Sequence, residues 1–233
     1  MRKCLLLILA LFCPLNLAHA QHPLVLQKLN ERNEAAPAPG IDLLKKEVLS
    51  TAISIQDSNG TCSNSEVIID RIHPATGDRF VFSAVLSQRM RNAWTINARL
   101  PKCDNMPARY MLMQNMDGSI RTIRVNRGVS YAWDSLIGDT LPLVRLAANV
   151  ALKRKGIDCN EGSKFKLGVT RIASESQDLG SDLFGIRYIG SWSEIWPIET
   201  CSQTVEVLVN FTADGDGGAY SRMPGDKVAV LPK

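Results

Sequence analysis

Four cysteines spaced as two matched pairs constrain this chain more than any other feature. Cys62 to Cys103 spans 41 positions and Cys159 to Cys201 spans 42. In both intervals a tryptophan stands nine residues before the second cysteine, Trp94 in one and Trp192 in the other. Each pair is followed by a run rich in β-formers that ends at a glycine-bearing turn, Asp117-Gly118 and Asp214-Gly215-Asp216-Gly217-Gly218. Several landmarks recurring in one order are the mark of an internal repeat. The matched intervals favour Cys62–Cys103 and Cys159–Cys201 over the other two connectivities. Each bond would close a loop of about forty residues, worth roughly 4 kcal/mol on the chain-entropy view. A unit of about 85 residues has a core small enough for such a staple to matter.

The cysteine reading requires an oxidising compartment, and the first twenty residues supply the route. Arg2 and Lys3 give a positive start, Leu5 to Phe12 is apolar, and Ala18-His19-Ala20 is a small-x-small cleavage site. Cys13 follows the bulky Phe12, which argues against lipidation there and for cleavage after Ala20. Residues 1–20 are therefore expected to be a signal peptide, and the chain to be periplasmic or secreted. No later run is long and apolar enough to span a bilayer. Removing the leader takes the formal net charge from +4 to about +2, by loss of Arg2 and Lys3. That balance gives no reason to expect nucleic acid as a partner.

Periodicity then divides the remainder. Residues 21–40 end in Ala35-Ala36-Pro37-Ala38-Pro39-Gly40 and read as an exposed tether. Asp42 can cap a helix carrying Leu43, Leu44, Val48, Leu49, Ala52 and Ile53 at helical spacing. Strands are expected over 66–72, 79–86 and 94–100, then 109–114 and 119–125 around the Asp117-Gly118 hairpin signal. After a linker over 127–138 the order repeats. Asp139 can cap a helix with Pro142 in its first turn, Lys153, Arg154 and Lys155 in its last and Gly156 as its stop. Strands follow over 165–172, 183–188, 191–198 and 205–211, with short ones over 218–223 and 228–231. A helix followed by strands is the pattern of an α+β domain. The expectation is thus α+β, with two tandem helix-plus-antiparallel-sheet units at 41–126 and 139–233, each holding one disulfide.

Residues for chemistry are few. After the leader only His22 and His73 remain, and His73 precedes Pro74 in what reads as a loop. No Gly-x-Ser-x-Gly elbow accompanies them. The cysteines are taken by disulfides and no His-Glu-x-x-His run exists, so no zinc site and no other metal or cofactor is expected. Asp214 to Gly218 looks like the start of a calcium loop, but its twelfth position is Gly225 and not a bidentate glutamate. A glycine-rich hairpin turn is the plainer reading. Trp192, Glu194 and Trp196 would share one face of a strand, with Glu199 on the other. Glu194 therefore lacks a partner acid for glycoside hydrolysis, and the plain reading places it solvated at an edge.

The cluster Arg187, Tyr188, Glu194 and Trp196 is better read as a binding surface, because arginine and aromatics dominate interface hot spots. Trp94 and Trp192, which the repeat shares, are expected in the core. Trp196 stands where the first unit has Ala98 and is the expected exposed anchor. Met90, Met106, Met111, Met113 and Met116 gather in the first unit, as core filling or as an adaptable apolar surface.

The segment Gly190-Ser191-Trp192-Ser193-Glu194-Ile195-Trp196, with Cys201, Val205-Glu206-Val207 and the glycine-rich turn, resembles a C-terminal pattern in uncharacterised exported proteins of Gram-negative bacteria. The resemblance implies export and carries no activity with it. Two tandem helix-plus-sheet units with a disulfide each are also similar in architecture to the secreted β-lactamase inhibitor proteins, without a shared motif. The functional expectation is a non-enzymatic protein that binds a protein or cell-envelope partner. An envelope polysaccharide hydrolase using carboxylates near Trp196, or a structural envelope component, is the alternative.

Overall fold

Along the strand-like runs apolar side chains recur at every second position, so each strand offers one face to a core and its backbone seeks neighbours on either side. The computed structural model describes residues 23–35, 37–56, 65–103, 105–159 and 164–232. Among these the chain is α+β, with four α-helices against one large mixed sheet. The helices are α1 (Pro23–Ala35), α2 (Ile41–Gln56), α3 (Arg79–Leu86) and α4 (Asp134–Arg154). The strands of the first half are β1 (Ile68–Pro74), β2 (Asn92–Arg99), β3 (Ala108–Gln114) and β4 (Ile120–Gly128). Those of the second are β5 (Phe165–Leu167), β6 (Val169–Glu175), β7 (Ser191–Thr200), β8 (Gln203–Ala213), β9 (Ala219–Arg222) and β10 (Val228–Val230).

The sheet runs β1-β2-β3-β4-β6-β7-β8-β10, with β5 added to β7 and β9 to β8. Every pairing is antiparallel except β4 with β6, where Arg127 faces Val169 and Gly128 faces Thr170. That parallel seam depends on a glycine. Gly128 has φ +85, and a Cβ there would lie 2.1 Å from the Thr170 carbonyl oxygen.

Period-2 alternation assigns the helices to opposite faces. Leu44, Val48 and Ala52 of α2 pack on Trp94, Ile96, Tyr110 and Leu112. The intervening residues Ala93 and Met111 point the other way and meet Val81 and Val85 of α3. Further along that second face, Val144, Ala148 and Leu152 of α4 cover Trp192, Trp196 and Phe211. Val125 touches both clusters of the second face and makes it continuous. Trp192 stacks on Phe211 with ring centroids 5.1 Å apart. Trp94 and Trp192 are both core residues, as their repeated spacing implies.

Several elements depart from the sequence expectation for identifiable reasons. Residues 79–86, expected as a strand, form α3. The Asp78 carboxylate accepts from the amides of Phe80 (2.9 Å) and Val81 (3.5 Å), an N-cap that outweighs the β-propensity of Phe-Val-Phe. The stretch read as a tether contains α1, with Leu29 buried and Asn33 Oδ1 accepting from Thr76 Oγ1 at 2.8 Å. Helix α4 starts at Asp134 and not Asp139, so Pro142 lies in its interior. Its N-terminus is capped from a distance: the Ser135 amide donates to the other oxygen of Asp78 at 2.8 Å. Residues 183–188 form only an isolated bridge, Leu183 with Ile186. His73 and Pro74 belong to β1 and not to a loop.

The two glycine turns close the β3–β4 and β8–β9 hairpins. Asp214 Oδ1 accepts from the amides of Asp216 and Gly218, both at 2.9 Å. Cys159 and Cys201 are bonded, with Cα atoms 5.8 Å apart. Cys62 lies outside the described residues, and with it the expected Cys62–Cys103 pair. The bond that is described fits an oxidising compartment. Replacing Cys159 and Cys201 together by serine should lower the unfolding free energy by about 4 kcal/mol, from a loop closed over 42 positions. Urea unfolding of the two proteins tests this, and coincident midpoints would contradict it.

Candidate functional site

Alternation along β7 brings Trp192, Glu194 and Trp196 to one face, as expected, but that face is the core under α4. Glu194 is fully enclosed, and so is Trp196. The expectation of an exposed Trp196 and an edge-solvated Glu194 is therefore corrected. A carboxylate can remain buried only if donors replace its water shell. Glu194 has five. The indole N–H groups of Trp192 and Trp196 donate to it at 2.8 Å each, one to each oxygen. The Ser130 hydroxyl donates at 2.7 Å, and the amides of Tyr131 and Ala132 at 2.7 and 3.1 Å.

The last three donors belong to the connector between β4 and α4. Arg109 on β3 holds the same connector by its carbonyls, donating to Ala132 O at 2.5 Å and to Ser130 O at 2.6 Å. Glu194 thus takes the connector's N–H groups while Arg109 takes its C=O groups. Asp134, which opens α4, stands on the Arg109 side. Its Oδ2 accepts from Thr95 Oγ1 at 3.4 Å, while Oδ1 lies 3.6 Å from Arg109 Nη1, too far for a hydrogen bond. Burial pushes its carboxyl up to about 6; Arg109 opposes the shift and Asp78 adds to it.

Arg187 and Tyr188 leave the strand expected for them and lie in the irregular 176–190 connection. The Arg187 guanidinium sits 4.0 Å from the Tyr131 ring centroid and donates to Gly180 O. Tyr188 is half-buried against Gly217 of the β8–β9 turn. The four predicted residues therefore do not converge on one surface. Glu194 and Trp196 are interior, Tyr188 packs on the glycine turn, and Arg187 alone opens onto a cleft.

That cleft, of about 270 Å³, lies between β1, β3 and the 182–187 loop, and its walls include Arg71, His73, Asn97, Arg109, Tyr131 and Arg187. Arg71 holds Asp182 through both guanidinium nitrogens, at 2.9 and 2.6 Å. Gly185, at φ +82, lets the loop close on the His73 ring, which a Cβ would meet at 2.6 Å. Burial pushes the imidazole below its ordinary value, and the Arg71 and Arg109 charges act in the same sense. The cleft has cationic walls, and Arg71 engages Asp182, the one carboxylate among the described residues that line it.

A larger hollow, about 530 Å³, opens on the same face between α3 and the start of α4. Met111 and Met113 of β3 with Ile123 and Val125 of β4 line it, and Phe80 and Ile137 come from the two helices. An Arg79–Asp139 ion pair links α3 to α4 beside it. Phe80 is 61% exposed, an unusual position for phenylalanine on a short helix. Of these residues the sequence had marked only the methionines. Asp78 before the apolar run at 80–86 was the available clue to the helix that carries Phe80. Among the described residues no cluster of three or more potential metal ligands occurs.

Comparison of the chain with protein-family models, curated proteins and solved structures gave no match in any of the three.

The pH dependence of stability follows from Asp134. Its folded value of about 6 lies above the ordinary 3.8, so the native state binds this proton more tightly than the unfolded chain. Stability present below pH 4 is lost as pH rises towards 6, by roughly 3 kcal/mol for about two pKa steps. Relative to the parent, Asp134→Asn should therefore gain roughly 2–3 kcal/mol of unfolding free energy between pH 4 and pH 7. Urea titrations across that range check it; parallel curves would contradict it.

Proposed function

We propose that the chain is an exported, non-enzymatic recognition protein whose hollow between α3 and α4 receives bulky apolar side chains of a protein partner. The observation that carries this reading is the hollow itself: its walls are largely apolar, its floor holds two methionines, and an exposed phenylalanine stands at its rim. Methionine is unbranched and polarizable, which suits a surface that must adapt to a partner. A volume of about 530 Å³ falls within the range of ligand-binding pockets. The leader and the Cys159–Cys201 bond support export. The hydrolase alternative needs two solvent-facing carboxyls near Trp196. Glu194 and Trp196 are enclosed, and all five Glu194 contacts are structural.

The same proposal includes a duplicated architecture of two tandem units. Support comes from topology. Each half has a helix, then strands laid down in the same lateral order, β1-β2-β3-β4 and β6-β7-β8-β10. Because β4 and β6 run parallel, β1 and β6 run in opposite directions. A half-turn about an axis in the sheet, perpendicular to the strands, together with a shift of four strands along it, relates two such arrays. That operation also exchanges faces, and α2 and α4 do lie on opposite faces.

A photo-crosslinking side chain at Met113 tests the recognition reading in cells that export the protein. It should give a discrete protein adduct that the same group at exposed Tyr220 on β9 does not. Phe80→Asp, at an exposed position, should reduce that adduct at least tenfold, about 1.4 kcal/mol of binding. Identical adducts from both positions, or an adduct indifferent to Phe80→Asp, would contradict the assignment.

A further inference from the structure

Helix α4 is apolar on two sides, and the core uses only one of them. Val144, Ala148 and Leu152 face inward and are fully buried, whereas Leu143, Leu146 and Val150 are 49%, 61% and 42% exposed. The outward residues are spaced by three and four, so they form a single stripe and not scattered exposure. Exposed Asp139 and Lys153 extend the stripe at its two ends, giving the positions 139, 143, 146, 150 and 153. Alternating steps of four and three are the seam of a helix that packs on another helix. The expectation that no later run is long and apolar enough to span a bilayer is corrected on this helix: α4 alone among the described helices is so by length and composition, because its outer stripe adds to its buried one.

From this seam we infer that α4 is a self-association surface whose occupant is the α4 of a second copy, antiparallel about a two-fold axis at Leu146. Asp139 lies seven residues before Leu146 and Lys153 seven after it. An antiparallel, two-fold pairing therefore sets Asp139 of each copy beside Lys153 of the other, with Leu146 against Leu146 and Leu143 near Val150. Arg154 and Lys155, both exposed, reinforce the basic end. A two-fold interface must be complementary to itself. This helix meets that condition in charge as well as in apolar pattern. A parallel pairing would instead place like charges together at both ends. Asp139 also meets Arg79, but that ion pair is solvent-facing on both sides, at 75% and 57% exposure, and leaves the carboxylate accessible to a second cation. The apolar part of the stripe, Leu143, Leu146 and Val150, faces away from the core, on a different side of α4 from Ile137 and Leu141, while Asp139 at its end also borders the hollow beside α3. Self-association is independent of the recognition reading, and either can stand without the other.

Sedimentation equilibrium of the exported, oxidised chain tests the inference. The parent should sediment at twice the monomer mass at tens of micromolar. Leu146→Asp should raise the dissociation constant at least a hundredfold, with an unchanged urea midpoint because Leu146 is exposed in the monomer. Leu146→Cys should form an inter-chain disulfide under mild oxidation, whereas Tyr220→Cys should not. Asp139→Lys and Lys153→Asp should each weaken the dimer, and their combination should recover most of the loss. A parent that is monomeric throughout this range overturns the inference. So does a dimer indifferent to Leu146→Asp, or a monomer whose Leu146 instead drives binding to phosphatidylglycerol-containing vesicles.

Discussion

The Glu194 carboxylate is the interaction on which the rest of this structure depends. An ionised carboxyl taken out of water costs several kcal/mol unless its lone pairs are met. Here five donors meet them, and charge-assisted bonds of this kind are the stronger class of protein hydrogen bond. The donors come from two places. Two indoles on the same strand are held against Phe211, and the connector before α4 supplies the other three. Arg109 completes the arrangement by taking the connector's carbonyls. The N–H groups of Tyr131 and Ala132 and the C=O groups of Ser130 and Ala132 are therefore met by two side chains, one from each half of the sheet. The start of α4 is fixed by that clamp and by the Asp78 carboxylate, which serves α3 and α4 together.

Much of this was legible in the sequence, and the misreadings share a cause. Alternating apolar residues located most strands, and Asp117-Gly118 located the β3–β4 hairpin. The repeated Trp–Cys spacing identified Trp94 and Trp192 as core. Where local signals were misread, a remote partner decided the outcome. Residues 79–86 have strand-like composition, but Asp78 caps them as a helix. Helix α4 begins at Asp134 with no capping side chain of its own, because Asp78 caps it across 57 positions. Trp196 looked exposed because the first half has no tryptophan there. In the fold its indole N–H is a donor to Glu194, a need that a single sequence does not reveal. The β7–β8 hairpin is another case: Cys201 and Ser202 have φ +51 and +56, a turn that asparagine and glycine usually signal.

Both proposed surfaces meet on α4. Its inner face closes the second-half core, its N-terminal turn forms one wall of the apolar hollow, and its outer stripe remains exposed. A single helix thus links the buried clamp to the hollow proposed for recognition and to the stripe proposed for self-association. Displacing its N-terminus would open the core around Trp192 and reshape the hollow together. Glu194, the carboxylate that the sequence offered for chemistry, holds backbone together with Arg109, and Arg71 holds the 182–187 loop through Asp182.

Hydrogen exchange at the Tyr131 and Ala132 amides, compared between the parent and Glu194→Gln, tests the clamp most directly. The glutamine amide cannot accept what the carboxylate accepts, so both sites should lose protection by two orders of magnitude or more. The first turn of α4 should follow, while the Asn115–Ser119 turn should be unchanged. If Tyr131, Ala132 and the α4 N-terminus kept their parental protection in Glu194→Gln, the buried carboxylate would not be what holds this fold together.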